Sequence, residues 1–168
     1  EALPIENVEV LMPTTDGNRT VDCGSGEEDT AEFSCELTVQ VSDGEGLKFI
    51  QIKASDPAGN ADFEAVSCLV DFTAPVLDLN GTQVAPALSK LGDVIYLDVV
   101  ANEPLGLFNA SNLTVEGPAA LNFAQVGNTP KLFHQVGLGD DGSYSTSLVL
   151  TDVVGNTSAS QTGPSFAI

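Results

Sequence analysis

Apolar and polar residues alternate along much of this chain. Phe33, Cys35, Leu37, Val39 and Val41 point one way, and Ile50, Ile52 and Ala54 do the same after them, with polar residues between. A period of two is what a half-buried β-strand requires. Turn residues separate the runs at Asp16-Gly17-Asn18, Asp43-Gly44-Glu45-Gly46, Asn80-Gly81 and Asp140-Asp141-Gly142, where glycine, asparagine and aspartate enter tight backbone conformations at little cost. No stretch of ten or more residues carries a helical period. In the second half, strands are expected near 75–80, 92–101, 111–116, 120–126, 131–137, 143–151 and 158–167. Seven short strands with turns between them describe a two-layer sandwich.

One five-residue loop is written twice, Asp56-Pro57-Ala58-Gly59-Asn60 and Asp152-Val153-Val154-Gly155-Asn156, each after a β-type run and 96 residues apart. An offset of one small-domain length predicts tandem domains. Fifteen residues after Asp56 the chain reads Asp71-Phe72-Thr73-Ala74-Pro75, which suits a linker and divides the chain into domains 1–73 and 74–168. The same offset from Asp152 reaches Ala167, so the chain is expected to stop at a domain boundary, as two members of a longer array.

The order apolar strand, Asp-x-x-Gly-Asn, apolar strand, Asp-x-Thr-Ala-Pro resembles the bacterial immunoglobulin-like (Big-type) tandem repeat domains of secreted and cell-surface proteins, which include the calcium-stiffened extender domains of adhesins. In the second domain Thr73-Ala74-Pro75-Val76, Asn102-Glu103-Pro104, Asn112-Leu113-Thr114-Val115 and the loop from Asp152 to Asn156 follow in that family's order. In the first domain the resemblance covers 36–71. It implies an all-β chain of two tandem immunoglobulin-like β-sandwich domains, exported to the bacterial surface or beyond. The role implied is a non-enzymatic structural spacer whose partners are neighbouring domains of the same polypeptide.

Charge narrows the function classes. Lysine and arginine number 5 against 24 acidic residues, a formal net charge of −19. Residues 1–73 hold 16 acids and 3 bases, and residues 74–168 hold 8 and 2. Such a field repels nucleic acid and anionic membrane surfaces. Its 42% hydrophobic content, spread in alternating runs, favours packed cores over disorder. No apolar run reaches the roughly 18 residues of a membrane helix, since Asp98 interrupts the strongest stretch, 94–101. Two tyrosines and no tryptophan are too few for the aromatic girdles of an outer-membrane barrel.

All three cysteines fall in the first domain. Cys23 and Cys35 flank the acidic, glycine-bearing stretch 24–31, so a local disulfide is expected in an oxidising compartment. The alternatives are a Cys35–Cys68 bridge and three free thiols, with no metal site in any case.

Enzyme chemistry is poorly supplied. The one histidine, His134, lies inside an expected strand, facing solvent or capping the core edge, and no serine motif accompanies it. One histidine cannot build a multi-histidine metal centre or, unaided, a triad. Gly137-Leu138-Gly139-Asp140-Asp141-Gly142 spells the dinucleotide fingerprint, but a strand follows it rather than a helix, and its two aspartates would repel phosphate. A hairpin turn is expected there.

Carboxylates are the better lead, because calcium takes six to eight oxygens from Asp, Glu, Asn and backbone carbonyls. A last strand of ten to eleven residues would carry Asp71 about 35 Å from the loop at 56–60, to the junction with the second domain. The loops holding Glu103, and Asp152 with Asn156, would return to that junction, so Asp71, Glu103, Asp152 and Asn156 form a candidate interdomain calcium site. Asp16, Asp56 and Asn60 form a second candidate at the outer pole. The competing interpretation is that Asp152 and Asn156 serve only their turn. The alternative function is a carbohydrate- or protein-binding adhesive module, against which Phe63, Phe108, Phe123, Tyr96 and Tyr144 are expected in the core or at its rim.

Overall fold

The computed structural model describes residues 5–23 and 33–168. Among these, regular structure is all β apart from two single turns of 3-10 helix, Val41–Asp43 and Ala110–Asn112. No helix among them is long and apolar enough to cross a membrane. The chain forms two compact units, Glu1–Phe72 and Thr73–Ile168.

The first unit is one antiparallel sheet of β1 (Asn7–Thr14), β2 (Gly17–Asp22), β3 (Gly46–Ser55) and β4 (Ala61–Val70), in the order β2-β1-β3-β4. The register pairs Val8 with Ala54 and Val10 with Ile52. Directly opposed residues share a face, so the alternation read from the sequence becomes one apolar face carrying Val8, Val10 and Met12, all buried. Phe33, Cys35 and Leu37 are half-buried with exposed residues between them, yet they join no sheet. Val39 and Val41 are exposed. The strand expected from Phe33 to Val41 is therefore absent, and a buried charge holds its last part elsewhere. Arg19, opposite Met12 in the β1–β2 register, donates to both oxygens of Asp43, at 3.2 and 2.7 Å, and to the Thr38 carbonyl at 2.9 Å. The Gln40 amide donates to Asp43 at 2.7 Å. The Arg19 bonds, with the Thr15 amide donating to the Ser42 carbonyl at 3.2 Å, tie residues 38–43 to the β1–β2 hairpin without a strand ladder.

Cys23 and Cys35 form a disulfide with Cα atoms 5.2 Å apart. Cys68 is a free, half-buried thiol, so the cross-sandwich bridge does not form.

The second unit has two sheets. One orders β5 (Gln83–Ala85), β6 (Val94–Asp98), β9 (Lys131–Gln135) and β8 (Ala124–Gln125) as β5-β6-β9-β8. The other pairs β10 (Ser143–Leu148) with β7 (Leu113–Glu116), β11 (Gln161–Thr162) and β12 (Phe166–Ala167). Leu97 and Leu132 from the first sheet pack with Leu148 from the second and with Leu77, Val99, Phe108 and Leu150. Tyr144 stacks on Phe166 at 5.2 Å in a neighbouring cluster with Ile95 and Val136.

Several expected strands are shorter than their apolar runs. Near 75–80 only Leu77 bridges, to Ala101; the run 158–167 breaks into β11 and β12, and β5 had no sequence signal. The segment Gly137–Gly142 is not a hairpin turn, because β9 and β10 belong to different sheets. It is the crossing between layers.

Candidate metal-binding loops

The two Asp-x-x-Gly-Asn loops fold alike. Asp56 Oδ1 accepts from the amides of Ala58 and Asn60, both at 2.9 Å, while the Asn60 side-chain amide donates to Oδ2 at 2.8 Å. Asp152 Oδ1 accepts from Val154 (2.9 Å), Gly155 (2.7 Å) and Asn156 (2.9 Å), and the Asn156 side-chain amide donates to Oδ2 at 2.8 Å. Glycine is required in both, since φ is +85° at Gly59 and +104° at Gly155, backbone that side chains strain to adopt. The carboxylate replaces the carbonyls that a regular ladder would offer to these amides.

Electrostatics follow from these bonds. At Asp56 the Asn60 side chain, then the loop amides, outweigh burial and hold the carboxyl below its usual range. At Asp152 burial is the largest influence and pushes upward, but the side chain and amide of Asn156 and the amides of Gly155 and Val154 together prevail, so it too is lowered. Both turns hold an ionised carboxylate. They differ in depth: Asp152 is 3% exposed, whereas Asp56 is half-buried at a hairpin tip.

Within the second unit Glu103 and Asp152 come together. Leu105 bridges Asp152, and the Gly106 amide donates to the Thr151 carbonyl at 2.9 Å. Asn102 fastens the same loop through its side-chain oxygen, which accepts from the Val76 amide at 2.7 Å, and through its own amide, which donates to Val76 O at 3.0 Å. A carboxylate oxygen of Glu103 then lies within 4.8 Å of one of Asp152. Like charges this close repel unless water or a cation screens them.

In the first unit Asp71 follows the last residue of β4, ten strand residues beyond the loop at 56–60 and at the opposite end of the sheet. Asp16 does not join Asp56 and Asn60. β1 pairs Asn7 with Ser55 and runs away from that loop, so the β1–β2 turn holding Asp16 lies about 26 Å along the strand. The second candidate pole is reduced to Asp56 and Asn60, because antiparallel pairing sends the two hairpin tips to opposite ends.

His134 neither faces solvent nor merely caps an edge. It is buried opposite Ile95, with Nε2 3.0 Å from Asp140 Oδ2 and Nδ1 3.0 Å from the Asn122 carbonyl. Asp140 also accepts from the Gly137 amide at 2.6 Å, and its carbonyl accepts the Tyr144 hydroxyl at 2.8 Å. The Gly137 amide first, then His134, hold the Asp140 carboxyl below its usual range against burial; burial first, then Asp140, pushes the Tyr144 hydroxyl upward. The signal for a buried histidine was its parity with Leu132 and Val136. This cluster closes the sheet crossing. Of the aromatic residues expected inside or at the rim, Phe108 and Tyr144 are buried and Phe123 is half-buried, but Phe63 and Tyr96 are exposed.

No protein-family model matches the chain, and no curated protein matches it. Among solved structures, murine CEACAM1b aligns with all of this chain and 87% of its own, at 17% identity and a TM-score of 0.36. The Bacteroides ovatus mixed-linkage glucan utilization locus protein SGBP-B, solved with a mixed-linkage heptasaccharide, aligns with 96% of this chain, at 13% identity and a TM-score of 0.24. The chain spans 37% of that protein's length. At such TM-scores the all-β architecture rests on the strands themselves.

Proposed function

We propose that this chain is a non-enzymatic, extracellular spacer of a larger bacterial surface or secreted protein, built from immunoglobulin-like domains and stiffened by calcium. The calcium ligands would be Glu103, Asp152 and Asn156 of the second unit, with Asp71, two residues ahead of that unit in the chain, completing the set. The observation that supports this best is the Leu105–Asp152 pairing, which holds two carboxylates within 4.8 Å in one packed loop pair. A calcium ion removes their repulsion and draws further oxygens from backbone carbonyls and water. The disulfide suits an oxidising compartment. A cation gripping residues on both sides of the short link at 71–73 would restrict domain swing, and an array of such units would act as a stalk.

Thermal unfolding tests this. At a hundredfold excess over its dissociation constant calcium adds about 2.7 kcal/mol, a rise on the order of ten degrees for a unit of this size. Magnesium at matched ionic strength should give little of it. Asp71→Asn and Glu103→Gln should each remove most of the calcium-specific rise, whereas Asp141→Asn, at the other end of β10, should leave it. Equal responses to the two cations, or no response to either, would exclude the calcium site.

A further inference from the structure

β4 is a ten-residue strand at one edge of the first unit's sheet. The first unit's sheet ends at β4, with no strand beyond it among the described residues. The Asp56 amide donates to Asn60 O at 2.9 Å, and this bonded pair fixes the phase of the β3–β4 ladder in the register Ser55 to Ala61. Bonded and non-bonded pairs alternate, so even-numbered residues of β4 bond to β3. Ala61, Phe63, Ala65, Ser67 and Leu69 turn their backbone groups to the free edge. The Phe63 amide agrees with that phase, since it donates to the neighbouring Asp62 carboxylate at 2.9 Å.

Edge strands of soluble proteins are normally blunted by charged side chains, lysine above all, or by proline, bulges or shortness. From Ala61 to Val70 there is no lysine, no proline and no glycine, and the strand's two charges, Asp62 and Glu64, are both acidic, so they repel an acidic strand and not a basic one. The odd-numbered face carries exposed apolar residues: Phe63 and Leu69 are each 56% exposed, beside Leu47 (59%) and Phe49 (61%) of β3. Leu47 stands opposite Leu69. The even-numbered face, shared with Ile52 and Ala54 of β3, opens with Asp62 and Glu64, both exposed. On β3, Lys53 is engaged with Glu9 at 2.8 Å.

We propose that β4 docks an extended basic segment of another protein by strand addition. Its apolar residues would alternate onto Phe63 and Leu69, and its lysines or arginines onto Asp62 and Glu64. Charge selects this occupant. A second copy would bring another −19 and its own Asp62 and Glu64 to the same edge, whereas a basic strand is steered toward it. Main-chain bonds would supply affinity and the alternating side chains specificity. The proposal is independent of calcium.

The probe is a blocked decapeptide alternating valine and lysine, fluorescently labelled and read by polarisation. Its controls are a valine–glutamate decapeptide and a peptide of five lysines followed by five valines. The alternating basic peptide should bind saturably and at least tenfold more tightly than either control, and should slow amide exchange at Ala65, Ser67 and Leu69 of the unaltered protein. Ala65→Pro removes an outward-facing donor without touching the β3 ladder, as an edge strand tolerates, and should weaken binding at least tenfold. Glu64→Lys should weaken it for the basic peptide alone. Equal binding of the block peptide would reduce the effect to charge and overturn strand addition, as would unchanged amide exchange. Sedimentation showing a dimer that Ala65→Pro dissociates would overturn the choice of partner.

Discussion

Removing the disulfide should unfold one part of this chain and leave the other untouched. The bridge joins residues 12 apart in sequence, and loop closure of that length stabilises by about 3 kcal/mol at 25 °C in the chain-entropy model. The first unit has little to set against such a loss, since its buried apolar residues among those described are Val8, Val10, Met12 and Val70. With a urea dependence of about 1–1.5 kcal/mol per molar, the midpoint should fall by about 2–3 M. The second unit contains no cysteine and holds both tyrosines, Tyr96 and Tyr144, in a chain without tryptophan. Tyrosine fluorescence therefore follows the second unit alone, while far-ultraviolet circular dichroism follows both. In the Cys23→Ser/Cys35→Ser variant, which avoids exchange with Cys68, the dichroism transition of the first unit should move down or disappear, and the fluorescence transition should stay in place. An equal movement of both transitions would refute independent unfolding. Movement of neither would mean that the bridge contributes nothing to stability.

Two further outcomes follow from the second unit. Asp140 has a depressed folded-state pKa, so its contribution is complete above the unfolded value near 3.9 and is lost as pH falls below it; Asp140→Asn should shallow the acid limb of the fluorescence-detected stability curve, with Asp152 supplying the remainder, and an unchanged limb would contradict the hydrogen-bonding account. A Cβ at Gly106 would press into the Asp152 carbonyl, so Gly106→Ala should cost about 1–3 kcal/mol by overpacking in urea titration, and wild-type stability would refute the close approach of the two loops.

The sequence by itself determined what is local. Alternation at Ile50, Ile52 and Ala54 identified β3 and its inward parity, because a pleated backbone sends successive side chains to opposite faces, and the apolar runs at 92–101 and 131–137 located β6 and β9. The Asp-x-x-Gly-Asn spelling determined both turns, since carboxylate, glycine and amide lie within five residues and bond mainly to one another. The Cys23–Cys35 pairing was legible for the same reason of proximity. Tertiary structure decided whatever depends on a distant partner. Residues 33–41 alternate as a strand should, yet Arg19 and Asp43 hold part of that segment against the sheet, a bond spanning 24 residues that no local pattern announces. The direction of β1 carries Asp16 away from Asp56, although both aspartates occupy hairpin tips. His134 shares the parity of Leu132 and Val136, but only the sheet crossing supplies the Asp140 carboxylate and Asn122 carbonyl that let a polar ring be buried. Glu103 approaches Asp152 through a pairing between Leu105 and a residue 47 positions later, and a contact at that separation is fixed by the packing of the whole unit.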